Sequence, residues 1–83
     1  MQWSVRFLDT ARRQYLDLPD PIRLQVDRKI GLLEEHPFPV CSKKFRHRDD
    51  LYRLRVGDYR VLYHVDRSEC TVRIVRVRMS TPV

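Results

Sequence analysis

Arg53, Arg55 and Arg60 bracket the dipeptide Gly57-Asp58, and Arg78 follows near the end of a valine-rich stretch. Guanidinium groups in such a cluster suit one kind of chemistry. Each presents a planar fork of donors that matches phosphate oxygens bidentately, and each stays protonated at neutral pH. A cluster of this kind can hold a phosphodiester and stabilise charge that develops on it, but it is poorly suited to removing a proton. A second run of cations, Lys43, Lys44, Arg46 and Arg48, precedes it and is read as RNA-binding. The formal net charge of +6 comes entirely from this half of the chain. Six basic residues face six acidic ones up to Ser42, whereas eleven face five from Lys43 onward. Such an asymmetry favours an anionic partner, most simply a nucleic acid.

Other chemistries find little support. Cys41 and Cys70 lie far apart in elements of different type and are expected to be free thiols. His36, His47 and His64 give no local signature of a base beside a thiol nucleophile. With no cluster of His, Cys or carboxylate at ligand spacing, no metal and no organic cofactor is expected. Neither membrane insertion nor export is supported by the short apolar runs, and a cytoplasmic protein is expected.

The elements that must position the arginines follow from the two-residue turn. Glycine at the first central position of Gly57-Asp58 suits a type II′ hairpin, which pairs Val56 with Tyr59, Arg55 with Arg60, Leu54 with Val61, Arg53 with Leu62 and Tyr52 with Tyr63. Tyr52, Leu54, Val56, Tyr59, Val61 and Tyr63 then share an apolar face, and Arg53, Arg55 and Arg60 project from the other. Arg55 directly opposite Arg60 costs some tenths of a kcal/mol, so folding gains nothing obvious from the pair. A bound phosphate reverses the sign. The alternative is that carboxylates from the loop or the tail neutralise the cluster.

Upstream, Trp3, Val5 and Phe7 alternate with polar residues as in a half-buried strand. Asp9 or Thr10 can cap a short helix with Ala11, Tyr15 and Leu18 on one face and Arg12, Arg13 and Asp17 outside. Asp20-Pro21 starts a second helix whose stripe is Ile22, Val26, Ile30 and Leu33, ending near His36 before Pro37 and Pro39. A loop from Pro37 to Asp50 leads to strands over Leu51 to Val56, Tyr59 to Asp66 and Cys70 to Arg78. In the last, Val72 and Ile74 alternate in one phase and Val75 and Val77 in the other, which implies a strand covered on both faces or a bulge. At 83 residues the chain is read as one α+β domain, residues 1–83. An N-terminal strand, an antiparallel helical hairpin and a three-stranded antiparallel meander give a four-stranded sheet with both helices on one face.

The run from Leu51 to Tyr63, reading Leu51-Tyr52-Arg53-Leu54-Arg55-Val56-Gly57-Asp58-Tyr59-Arg60-Val61-Leu62-Tyr63, resembles the core motif of the RelE/ParE toxin superfamily. The flanking strand, helical hairpin, lysine-containing loop and closing valine-rich strand extend the resemblance over nearly the whole chain. It implies the toxin of a type II toxin–antitoxin pair and, in the RelE branch, a ribosome-dependent endoribonuclease that cuts mRNA through its 2′-hydroxyl. By motif position, Arg53, Arg55 and Arg60 would be catalytic, and Arg78 would join the RNA-binding cations. A cognate antitoxin and mRNA on the ribosome are the implied partners. Ser80 stands where such toxins usually carry a further arginine, and no later tyrosine follows it. Two other readings therefore stay open: a ParE-like, non-enzymatic inhibitor of DNA gyrase, and a degenerate toxin that only binds antitoxin or RNA.

Overall fold

A computed structural model describes residues 3–38, 42–44 and 50–79. In chain order the elements are β1 (Ser4–Phe7), α1 (Asp9–Leu16), α2 (Asp20–Glu35), β2 (Ser42–Lys44), β3 (Leu51–Val56), β4 (Tyr59–Asp66) and β5 (Thr71–Met79). The strands form one sheet in the order β1-β5-β4-β3-β2, with β1 parallel to β5 and the other pairs antiparallel.

The α+β class, the helical hairpin and the meander are as expected from sequence, but the sheet has a fifth strand. Ser42–Lys44, inside the expected loop, pairs with Leu54, Arg53 and Tyr52 of β3. Arg46, Arg48 and His47 of that loop, Cys41, and Ser80 with the tail, lie outside the described residues.

Both helices begin at a residue expected to cap them, Asp9 and Asp20, so the observed caps fall one residue earlier. Leu8, in extended conformation, precedes α1 and its carbonyl accepts from Arg12, so Asp9 lies inside the first turn and no side chain caps that end. Pro19 plays the same part for α2; Asp20 is already helical and its carboxylate pairs with Arg23. There the acidic groups still face the positive end of the helix dipole.

The core lies between the helical layer and one face of the sheet. Ala11 from α1, Leu18 from the turn that follows it (α1 ends at Leu16, short of the expected Leu18), and Val26, Ile30 and Leu33 from α2 meet Leu54, Val56, Val61, Tyr63, Val65, Val72, Ile74 and Val77. Tyr52 and Tyr59, at the ends of the expected apolar face, are half-buried against this cluster. Tyr63 is fully buried, and its hydroxyl donates to the Pro37 carbonyl at 2.8 Å, so the polar end of the ring is satisfied.

β5 resolves its conflicting phases with a bulge. Leu62 pairs with Arg76 but Tyr63 pairs with Ile74, leaving Val75 without a partner on β4. The extra residue lets Val72, Ile74 and Val77 all face the core while Arg73, Arg76 and Arg78 face outward. The strand starts at Thr71, because Cys70 closes the preceding turn in the left-handed region at φ 49°. Among the described residues no helix is long and apolar enough to cross a membrane.

Candidate functional site

The turn that organises the site has Gly57 at φ 57°, while Asp58 stays at negative φ, as a type II′ turn requires. All five expected pairs of the hairpin are present, from Val56 with Tyr59 to Tyr52 with Tyr63. The strand alternation thus places Arg53, Arg55 and Arg60 on the face that the helices leave open.

Neighbouring strands extend this cluster into two rows. In the first, Arg55 pairs with Arg60 and Arg60 pairs with Arg78, so three arginines stand side by side across β3, β4 and β5. In the second, Lys43 pairs with Arg53, Arg53 with Leu62, and Leu62 with Arg76. Adjacent strands lie about 4.8 Å apart, so the head groups of each row fall within reach of one phosphate or two consecutive ones. Lys43, Arg53, Arg55 and Arg60 line a shallow pocket of about 280 Å³.

Lys44 pairs with Tyr52 and so leaves β2 on the opposite side from Lys43; the fold does not bring it into the pocket. Arg78 borders the cluster from β5. Arg76 was not singled out by the sequence, although the phase change at Val75 was the signal that could have found it. Lys43 was expected among the RNA-binding cations, but its place beside Arg53 depends on β2 joining the sheet edge.

The ion pairs among the described residues lie elsewhere: Arg23 with Asp20, Arg67 with Asp50 at 3.4 Å, and Arg73 with Asp66 at 3.2 Å. None of them involves Lys43, Arg55, Arg60 or Arg78. Arg55 instead donates through Nε to the Gly57 carbonyl at 3.2 Å, which holds its stem along the turn. Asp66 shows what a neutralised arginine looks like in this sheet. Its carboxyl pKa falls to about 2, chiefly because the Ser68 hydroxyl and the Glu69 N–H donate to it, with Arg73 adding to the effect.

The chemistry available in the pocket is fixed positive charge with oriented N–H donors. Among the described residues its lining contains no imidazole, thiol or carboxylate. Among the described residues no group of three His, Cys, Asp or Glu could hold a metal ion. A wider depression beside β1, lined by Trp3, Ser4, Val5, Arg6 and Glu34, has one arginine and one carboxylate among its described lining residues and lacks the same convergence of charge.

Comparison with known proteins agrees with this architecture. A family model described as the ParE toxin of type II toxin–antitoxin systems matches residues 2–80. Toxin RelG of Mycobacterium tuberculosis is 37% identical over 78 residues, which cover 93% of this chain and 90% of that protein. The toxin–antitoxin complex RelBE2 from Mycobacterium tuberculosis contains a chain that superposes with a TM-score of 0.81 at 35% identity, covering 95% of this chain and 99% of that one. In the archaeal RelE–RelB complex from Pyrococcus horikoshii the corresponding values are 0.87 and 25%, with complete coverage of both chains.

Proposed function

The chain belongs to the ParE toxin family of type II toxin–antitoxin systems, within the RelE/ParE superfamily, and from that premise we propose that it blocks translation as a ribosome-dependent mRNA endoribonuclease. The observation that carries this reading is the row Arg55, Arg60 and Arg78 beside Lys43 and Arg53, gathered on an open sheet face around one pocket. In the proposed reaction the 2′-hydroxyl of a nucleotide gives its proton to water as its oxygen attacks the adjacent phosphorus, and the 5′-oxygen of the next nucleotide departs and takes a proton from water, leaving a 2′,3′-cyclic phosphate. Arg53, Arg55 and Arg60 hold the phosphate and stabilise the negative charge that grows on it in the transition state. Lys43 and Arg78 flank it. Lys44, Arg46 and Arg48 are assigned to the RNA on either side by charge alone.

The four cations that line the pocket among the described residues orient and stabilise a phosphate rather than move protons. That property supports a toxin whose substrate is presented by the ribosome. The RelE–RelB and RelBE2 structures are toxin–antitoxin complexes, and a cognate antitoxin is proposed here as well. Leu16, Leu24 and Leu32 stand about half exposed on the helical layer and offer apolar surface to a protein partner away from the arginine face.

The test is expression from a tightly repressed promoter beside an Arg60→Ala variant, with 5′ ends mapped on a translated reporter mRNA. Codon-phased cuts and growth arrest are expected from the wild type. In the variant, cleavage should fall by about 10²- to 10³-fold, the usual cost of one donor to transition-state charge. The ParE description of the matched family favours gyrase inhibition as the second reading. Arrest with intact mRNA and altered DNA supercoiling would establish it in place of the first, and normal growth with intact mRNA would overturn both.

A further inference from the structure

The inward stripe of α1 is not wholly apolar. Ala11 is buried, Tyr15 is packed against the core, and between them in the same stripe stands Gln14, half-buried. Its side-chain carbonyl accepts a hydrogen bond from the backbone N–H of Val77 at 2.7 Å, across 63 residues of sequence. Val77 lies between Arg76 and Arg78, whose side chains leave the sheet on the face opposite the helix.

The place where this bond falls gives it meaning. β1 supports β5 only as far as the pair Phe7 with Ile74, and the Leu8 N–H makes a last bond to the Ile74 carbonyl at 3.0 Å. β5 runs on to Met79 with no strand on that side among the described residues. The bulge at Val75 interrupts its regular pairing with β4 at the same level. The segment carrying Arg76 and Arg78 therefore leaves β1 and changes register against β4 within three residues, while it stays paired with β4 as far as Tyr59 with Met79. Gln14 supplies the acceptor that the missing strand would have supplied.

Its own position is well defined. Tyr15, the next residue, packs its ring on Phe7 with centroids 5.0 Å apart and donates its hydroxyl to the Asp27 carboxylate of α2. α1 is thus tied to β1 on one side and to α2 on the other, and Gln14 carries that fixed point to β5.

We propose that Gln14 is a positioning residue for the anion site, holding the Arg76-Val77-Arg78 segment so that Arg78 stays beside Arg60 and Arg76 stays in line with Arg53. The proposal rests on the functional reading above, since it assigns these arginines to the RNA phosphate. It makes a demand that mere satisfaction of a backbone donor does not. The effect of losing the acceptor must pass through the two arginines. A displacement of about 1 Å in a positioned group can cost up to 10²-fold in rate, so a loss between about tenfold and a hundredfold is expected.

The experiment compares Gln14→Met, which keeps the length and removes the acceptor, with Gln14→Glu, which keeps the acceptor. Each is made in the wild-type background and in an Arg76→Ala/Arg78→Ala background. The readouts are exchange of the Val77 amide, affinity for a non-cleavable 2′-O-methyl RNA oligonucleotide, and mRNA cleavage in a cell-free translation system, all at a temperature where every variant is folded. Gln14→Met is expected to speed Val77 exchange and to weaken both binding and cleavage at least tenfold, while Gln14→Glu stays within about twofold of wild type. In the double-alanine background Gln14→Met should change neither, because the groups it acts through are gone. Unchanged binding and cleavage in Gln14→Met, or the same loss in both backgrounds, would overturn the proposal and leave the site reading intact. A wild-type chain that neither binds nor cleaves would overturn the site reading and the role of Gln14 with it.

Discussion

Replacing Arg60 by Met should make the fold more stable while removing the proposed activity. Arg60 stands between Arg55 on β3 and Arg78 on β5, so it meets a like charge on each side. Two unit charges about 7 Å apart in water repel by about 0.6 kcal/mol, and measured like-charge pairs across strands fall in the same range of tenths of a kcal/mol. Methionine keeps an unbranched apolar stem against the sheet and removes the charge, relieving both pairs together. At low ionic strength the gain should be about 1 kcal/mol, which raises the melting temperature of a domain of this size by about 4–8 °C. The Debye length shrinks from about 30 Å at 0.01 M salt to about 3 Å at 1 M, so most of the gain should vanish in high salt. Thermal unfolding followed by circular dichroism at the two salt concentrations measures it, with the helix-surface substitution Arg12→Met as the control. Inorganic phosphate, compared with chloride at equal ionic strength, should stabilise the wild type more than the variant, since a ligand that binds only the folded state raises its stability. A destabilised Arg60→Met variant, or a change independent of salt, would refute the reasoning by showing that the row is neutralised within the protein.

Two further outcomes concern the frame around the site. Gly57→Ala should destabilise by about 1–2 kcal/mol, the cost of placing an L-residue in the left-handed region, and lower the denaturant midpoint. Steric conflict adds little, because the new Cβ would lie 3.5 Å from the Gln25 side-chain oxygen, an ordinary contact. Asp66→Asn should remove part of the acid sensitivity of the fold. The Asp66 carboxyl is held at about 2, below the ordinary carboxylate value, so its contribution is present at neutral pH and is lost as pH falls from about 4 toward 2. Unfolding curves across that window should therefore be flatter for the variant, and an unchanged slope would remove Asp66 from the account.

The part of the site legible in the sequence is the part fixed by one tight turn. A two-residue loop leaves no freedom of register, so Gly57-Asp58 sets every pair from Val56 with Tyr59 back to Tyr52 with Tyr63, and period-two alternation then assigns Arg53, Arg55 and Arg60 to one face. The helices were legible from their apolar stripes, but their first residues were not. Asp9, Thr10 and Asp20 suit either a cap or a first turn, and the choice rests on Leu8 and Pro19, which contribute extended backbone rather than side chains. β2 escaped notice because three polar residues carry no hydrophobic period, and it forms only by pairing with an edge that lies later in the chain. The bulge in β5 announced itself as a change of phase, yet its consequence for Arg76 needed the partner strand. Gln14 gave no periodic signal at all, since its role depends on β1 ending at Phe7, a fact of sheet geometry rather than of local sequence.

The distribution of charge across this sheet is best explained by a division of labour between its faces. Both helices lie on the core side, so the apolar residues Leu54, Val56, Val61, Tyr63, Val72, Ile74 and Val77 are closed off from water and supply the cohesion of the domain. Each deeply buried aliphatic or aromatic side chain contributes about 1.5–3 kcal/mol, against which a few like-charge pairs on the open face are small. The open face is therefore free to carry a charge pattern that local energetics disfavour. Where an arginine serves the fold, as Arg73 does with Asp66, a carboxylate accompanies it across the sheet. Where the row Arg55, Arg60 and Arg78 lies, no carboxylate among the described residues forms an ion pair with it. The same strand, β5, carries both arrangements, and the bulge at Val75 lies between them. That contrast within one element, seen among the described residues, is what the proposed anion site leads one to expect.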